Sequence, residues 1–168
     1  MIAATSTRSI EIVDIIGSQC RQPSGAVSRL DLCRVQSWGL AMERPSPEAP
    51  EQETEVIWLL PDLGLRLLRH RPRRRHSRPG PTVFTAARIE SDAHSWTATD
   101  LLLGLEIGDD GPARIARAEQ FAAAVESGAL LQREADFALQ TIHRTLGEIT
   151  AHRDVRQWLA HRGIFDPW

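Results

Sequence analysis

Two carboxylates on one predicted strand are the residues best placed to do chemistry. The segment Thr97–Ile107 reads TATDLLLGLEI. Side chains on a strand alternate with a period of two, so positions 100, 102, 104 and 106 share a face. That face carries Asp100, Leu102, Gly104 and Glu106, and the other carries Leu101, Leu103, Leu105 and Ile107. Four large aliphatics in a row must be buried, and a helical stripe through Leu131, Ala135, Ala138, Leu139, Ile142, Leu146 and Ile149 can cover them from outside. The carboxylate face is then assigned to the inside of the sheet. There an apolar lining would raise carboxylate pKa values toward those useful for acid/base work. Asp100 and Glu106 are the candidate catalytic pair. Trp58, Phe84 and Trp96, on or beside neighbouring strands, join Leu102 and Gly104 as candidate substrate-lining residues. For the tryptophans, plain core packing is the competing explanation.

Other constellations carry less. Glu90, Asp92 and His94 alternate as metal ligands on a strand would, yet ESDAHS is serine-rich and turn-like, which favours a solvated loop. The run RHRPRRRHSRPG, Arg69 to Gly80, holds six arginines and two histidines. Arginine forks suit phosphate, but prolines and the lack of interleaved aromatics argue against reading nucleic acid. A solvated hairpin loop is the simpler account. Cys20 and Cys33 have no CxxC spacing and read as small buried apolar groups. His143 sits on a predicted helix between Ile142 and Leu146, as a partly exposed histidine would. No Gly-x-Ser-x-Gly, His-Glu-x-x-His or Gly-x-Gly-x-x-Gly occurs, so serine hydrolase, zincin and dinucleotide-binding classes gain no support.

The elements that must position these residues are short strands followed by helices. Ile10–Ile16, Val27–Val35, Trp38–Met42, Val56–Leu60, Leu65–Leu68, Thr82–Ile89 and Thr97–Ile107 have strand character, with a turn at Pro61–Gly64 and another at Gly108–Gly111. After Pro112 the apolar period lengthens. Ile115, Phe121, Ala122 and Val125 fit a helix ended by Gly128, and Leu131–Thr150 is a second helix. Asp154 can cap a third, ending at Gly163. The fold class is therefore α+β: an antiparallel β-barrel of about six to eight strands with two or three C-terminal helices. One domain spans 1–168, with a barrel over 9–112, helices over 113–163 and disorder over 1–8. The proline- and glutamate-rich stretch 43–55 and the basic stretch 69–81 are expected to be exposed loops.

Composition sets outer bounds. A chain of 168 residues can bury a real core. Its formal net charge of −2 draws it toward neither nucleic acid nor membrane. All 20 basic residues are arginine, and lysine, asparagine and tyrosine are absent, the mark of a GC-rich bacterial genome. Schiff-base and P-loop lysine chemistry is thereby excluded. The N-terminus lacks a basic start and a long apolar run, and no segment approaches the ~20 apolar residues that span a bilayer. A cytoplasmic location is expected, with a small-molecule substrate, no nucleic-acid or membrane partner, and homodimerisation as an open option.

Four segments in order, WLLPDLGLRLLR, TATDLLLGLEIGDDG, AEQFAAAVESGALLQREAD and IFDPW, resemble the FomD-like family (domain of unknown function 402). Members are small β-barrels that hydrolyse nucleoside phosphates and cytidylyl phosphonates with divalent metal. The resemblance implies two aspartates four residues apart on the last strand. Asp100 matches the first, but Gly104 stands at the second. The family's lysine before the helix falls near Ala116, and its aromatic-x-Asn-x-Glu strand becomes Phe84, Ala86 and Arg88. A hard divalent ion wants several oxygen ligands, and one aspartate does not hold it.

The expectation is a FomD-like barrel whose metal site has decayed, with no metal cofactor. Its first function would be a metal-independent, small-molecule step of secondary metabolism: cyclisation, pericyclic reaction, dehydration or isomerisation. Two alternatives stand beside it. One is a Mn- or Mg-dependent phosphohydrolase using Asp100, Glu106, Glu90, Asp92 or His94. The other is a non-catalytic ligand- or partner-binding barrel.

Overall fold

A computed structural model describes residues 9–74, 77, 80–108 and 112–165. The disorder expected for residues 1–8 and the turn residues 109–111 lie outside that range. Ten strands form one sheet: β1 (Ile10–Asp14), β2 (Gln19–Arg21), β3 (Val27–Arg29), β4 (Leu32–Gln36), β5 (Gly39–Pro45), β6 (Glu53–Leu60), β7 (Leu65–Pro72), β8 (Thr82–Ser91), β9 (Ser95–Ile107) and β10 (Arg114–Ala116). Three helices follow: α1 (Ala118–Glu126), α2 (Gln132–Thr150) and α3 (Val155–His161). All pairings are antiparallel, in the order β3-β2-β1-β9-β8-β7-β6-β5-β4, with β10 added onto β9. The α+β class is as the sequence predicts.

The ladder is open between β3 and β4, yet only Leu30 and Asp31 separate them in the chain. Leu30 N–H donates to Ser18 O and Asp31 N–H to Glu43 O, so one stretch passes from pairing with β2 to pairing with β5. The two ends of the sheet therefore meet, and it wraps into a barrel-like shape with a concave inner face.

Alternation divides the core in two. Residues such as Trp58, Leu65, Phe84, Leu101 and Leu105 face outward under α1 to α3, packing with Phe121, Ala138, Ile142 and Trp158. Val13, Cys20, Met42, Ile57, Leu59 and Trp96 fill the concave side. The leucine face of β9 thus meets the helices. Within α1, Phe121 and Ala124 are the buried residues, and Ile115 lies in β10 instead. Asp154 caps α3, its carboxylate accepting from Gln157 N–H at 2.8 Å.

Two loop assignments need correction. The stretch 43–55 contains the end of β5 and the start of β6, leaving only residues 46–52 between them. Arg44 and Glu55 are buried there, because each pairs with opposite charge on the concave side. Similarly, Arg69–Pro72 belong to β7, hydrogen-bonded to β6 on one side. Proline and charge pushed the sequence reading toward loop, whereas strand ends that pair their charges tolerate both.

Candidate functional site

The site is built by an irregularity in β9. Thr85 pairs with Gly104 and Ala87 with Asp100, so Leu101, Leu102 and Leu103 oppose Ala86 alone. Such a bulge re-aims side chains. Leu101 and Leu103 both go to the helix side, where they are buried. Leu102 takes a left-handed conformation, φ 71°. It does not stand on the Asp100 face as strict alternation predicts, but packs partly buried against the helix-side core. Its N–H donates to Asp100 Oδ1 at 2.7 Å. Gly104 tolerates no side chain, since a Cβ there would lie 2.5 Å from the carbonyl oxygen of Phe84. The glycine is a requirement of close strand approach, not merely a vacant ligand position.

β10 then delivers a cation. Ala116 pairs with Gly104 and Arg114 with Glu106. Arg117 follows with φ 59°, a second left-handed non-glycine residue. Its guanidinium donates to both Asp100 oxygens, at 2.9 and 3.0 Å, and to Thr85 Oγ1 at 3.3 Å. The pair is about one-third to one-fifth exposed, 35% for Arg117 and 21% for Asp100. Glu106 is elsewhere. It pairs with Arg114 at 3.0 Å on the surface. Its strand partner Val83 lies four residues from Asp100's partner Ala87, about 13 Å along β8. Asp100 and Glu106 share a face but do not form one acid/base pair.

Behind Asp100 the concave face holds buried charge that sequence reasoning missed. Glu11 accepts from Arg44 Nη1 at 3.1 Å and from Arg66 Nε and Nη2 at 3.0 and 3.3 Å. Arg44 Nε also donates to Glu55 at 2.7 Å. Burial opposes ionisation of Glu11, but the charges and hydrogen bonds of Arg66 and Arg44 outweigh it and hold its pKa below the ordinary value. Arg66 is pushed up, burial being overcome by Glu11 and then by Asp100 and Glu55. The charge of Asp100 thus acts on Arg66, next to the hydrogen-bonded group of Glu11, Glu55, Arg44 and Arg66. A signal existed: Arg44 continues the inward parity of Leu40 and Met42, and Glu55 that of Ile57 and Leu59.

The predicted lining residues separate. Trp58 and Phe84 are core on the helix side: Trp58 meets Trp38 at a tilt with ring centres 5.1 Å apart, and Phe84 meets Trp158 edge-on at 5.6 Å. The helices claim that face, which is why neither lines the concave side. Trp96 does face inward, beside Val13 and Cys20. Asp92 closes the β8–β9 turn by accepting from His94 N–H and Ser95 N–H, and these two bonds, that from His94 first, hold its pKa down together with the Ser95 hydroxyl. Glu90 and His94 are exposed there, and so is His143 on α2.

The donors on the concave face do not fit a divalent cation. Both oxygens of Asp100 and both of Glu11 are engaged by guanidinium groups. A metal placed there would displace arginines and sit beside their charge. Among the described residues no group of three or more His, Cys, Asp and Glu is arranged to hold a metal ion.

No family model matches this sequence, and no curated protein does. Among solved structures, a protein of unknown function DUF402 from Rhodococcus sp. RHA1 superimposes with a TM-score of 0.87 at 28% identity, covering 96% of this chain and 98% of that one. FomD in complex with CDP matches with a TM-score of 0.61 at 13% identity, covering 84% and 83%. The fold is the FomD-like, DUF402 fold. Within such a barrel, β9 and the entry to α1 hold the Asp100–Arg117 unit, and no described helix is long and apolar enough to cross a membrane.

Proposed function

We propose that the protein is a small-molecule enzyme that performs a metal-independent proton-transfer step, an isomerisation, dehydration or cyclisation, at the Asp100–Arg117 pair. As substrate binds, the Arg117 guanidinium passes from Asp100 to the negative charge that develops on a substrate oxygen, and the Asp100 oxygen so released accepts the substrate proton. Thr85 accepts from Arg117 and helps to hold it, and Trp96 lies on the same concave side. Glu106 has no part in this step.

The observation that carries the reading is backbone strain. Ser18, Leu102 and Arg117 are the non-glycine residues with positive φ among those described, and two of the three build this one pair. Left-handed β-branched-free but bulky residues cost of order 1–3 kcal/mol each and persist where surrounding structure over-determines them, often at functional sites. The bulge and the turn before α1 together set Arg117 on Asp100.

The test is a thermal-shift screen of the full chain against small carbonyl and carboxylate metabolites, repeated on Asp100→Asn and Arg117→Gln. Compounds that raise Tm in the wild type should fail to do so in Arg117→Gln, and should be bound but unchanged by Asp100→Asn when products are followed by mass spectrometry. Hits that stabilise all three proteins equally, or turnover that survives Asp100→Asn, would sink the assignment. CDP belongs in the same screen, because a FomD structure has been solved with it. Metal-dependent hydrolysis of CDP would replace this reading with the phosphohydrolase.

A further inference from the structure

On the opposite, helix-covered face, the ends of three strands and the α2–α3 turn enclose a cleft of about 440 Å³. Its strand wall is one cross-strand row, in which Arg69 pairs with Thr82 and Thr82 with Ile107. Arg69 has the parity of Leu65 and Leu67, which are buried beneath the helices. One step further along β7 the last turn of α2 gives out, and a cation takes the place of a leucine. The facing wall is Ile149 and Thr150 of α2 followed by Arg153, Asp154, Val155 and Arg156.

The arginine run noted in the sequence is divided by this geometry. Arg71 is taken by Glu43, with contacts of 3.1 and 2.6 Å. Arg69 instead lines the cleft, as do Arg153 and Arg156. Its described lining carries three guanidiniums and one carboxylate, and that carboxylate, Asp154, is committed to the α3 cap. Arg69 and Arg156 have interactions of their own within the protein, so a ligand would join a polar arrangement that already exists. Ile107, Ala113, Ile149 and Val155 supply an apolar bed. The volume lies in the range of small-molecule sites, roughly 300–1,000 Å³, and guanidinium forks match phosphate oxygens.

We propose that this cleft is a second binding site, separate from the Asp100–Arg117 site, for a phosphate-bearing metabolite. The phosphate or diphosphate group rests on Arg153, Arg156 and Arg69, and an uncharged body lies against Ile107, Ile149 and Val155. The two sites are on opposite faces of the sheet.

Calorimetric titration of the full chain with inorganic pyrophosphate and with CDP tests this. Binding is expected with a dissociation constant below about 1 mM, weakened by added salt as exposed charges are screened. The double variant Arg153→Ala/Arg156→Ala removes exposed side chains and should keep its far-UV spectrum and Tm while losing affinity about tenfold or more. Arg117→Gln should bind as the wild type does. No binding of either probe, or equal binding by the double variant, overturns the proposal. Affinity lost in Arg117→Gln would put the ligand on the concave face and overturn it too, and citrate binding as tightly as pyrophosphate would refute the phosphate class.

Discussion

Glu11 sits between two arginines drawn from strands on the other side of the barrel, and its single carboxylate holds Arg44 and Arg66 together. Removing one partner of a buried ion network leaves the rest uncompensated, at about 3–5 kcal/mol. Glu11→Gln should therefore lower stability by that order in denaturant unfolding at neutral pH. The sign of its pH dependence follows from a depressed folded-state pKa. The stabilisation is present above the ordinary glutamate value of 4.5 and is lost as pH falls through the lower folded value. The wild type should lose stability on acidification over that window, and Glu11→Gln should show a flatter acid limb; parallel limbs would remove Glu11 from the account. Beside it, Cys20 has its thiol pushed up to about 12, by burial first and by the Glu11 charge next. Alkylation of native protein at pH 8, read by mass spectrometry, should leave Cys20 unmodified, because the thiolate is the reactive form.

At the scale of elements, β9 decides most. Gly104→Asp would restore the carboxylate that the FomD-like resemblance leads one to expect, but its Cβ would meet backbone at 2.5 Å. The variant should lose of order 1–3 kcal/mol through forced strand separation, and urea unfolding with an unchanged midpoint would contradict that. α3 is tied down by Trp158, which is 1% exposed, meets Phe84, and donates from its indole N–H to Glu148 at 3.0 Å. Trp158→Ala should cost about 3–5 kcal/mol. These elements were unequally legible in the sequence. The leucine face of β9, the α2 stripe and the Asp154 cap were plain, because each rests on a local period or a single hydrogen bond. The bulge at Leu102 was not: nothing in DLLLGLE marks a left-handed leucine, which is imposed by β8 and β10. The Glu11–Arg44–Arg66 network was hidden for a related reason, since its members lie far apart in sequence and meet only when the sheet wraps.

At the scale of the whole molecule, no group of three or more His, Cys, Asp and Glu among the described residues is arranged to hold a metal ion, and the carboxylates of Glu11 and Asp100 are held by arginines. Mn²⁺ or Mg²⁺ at 100 times a site's dissociation constant would stabilise by about 2.7 kcal/mol. Thermal melts with and without either ion should therefore coincide, and a shift of several degrees would restore a metal site.

The pairing of β1 with β9 has a consequence in time. Ile10 pairs with Thr99 and Asp14 with Ser95, so the first strand of the chain is held by nearly the last strand of the sheet. At roughly 5–20 residues per second of synthesis, β1 emerges roughly 4–17 seconds before its neighbour exists. Until then β1 lacks the strand it is registered against and Val13 lacks Trp96, although Arg44 and Arg66, the partners of Glu11, are made earlier with β5 and β7. The newborn chain thus carries the unpaired edge of β1 until β9 is made, and the barrel can close only after that.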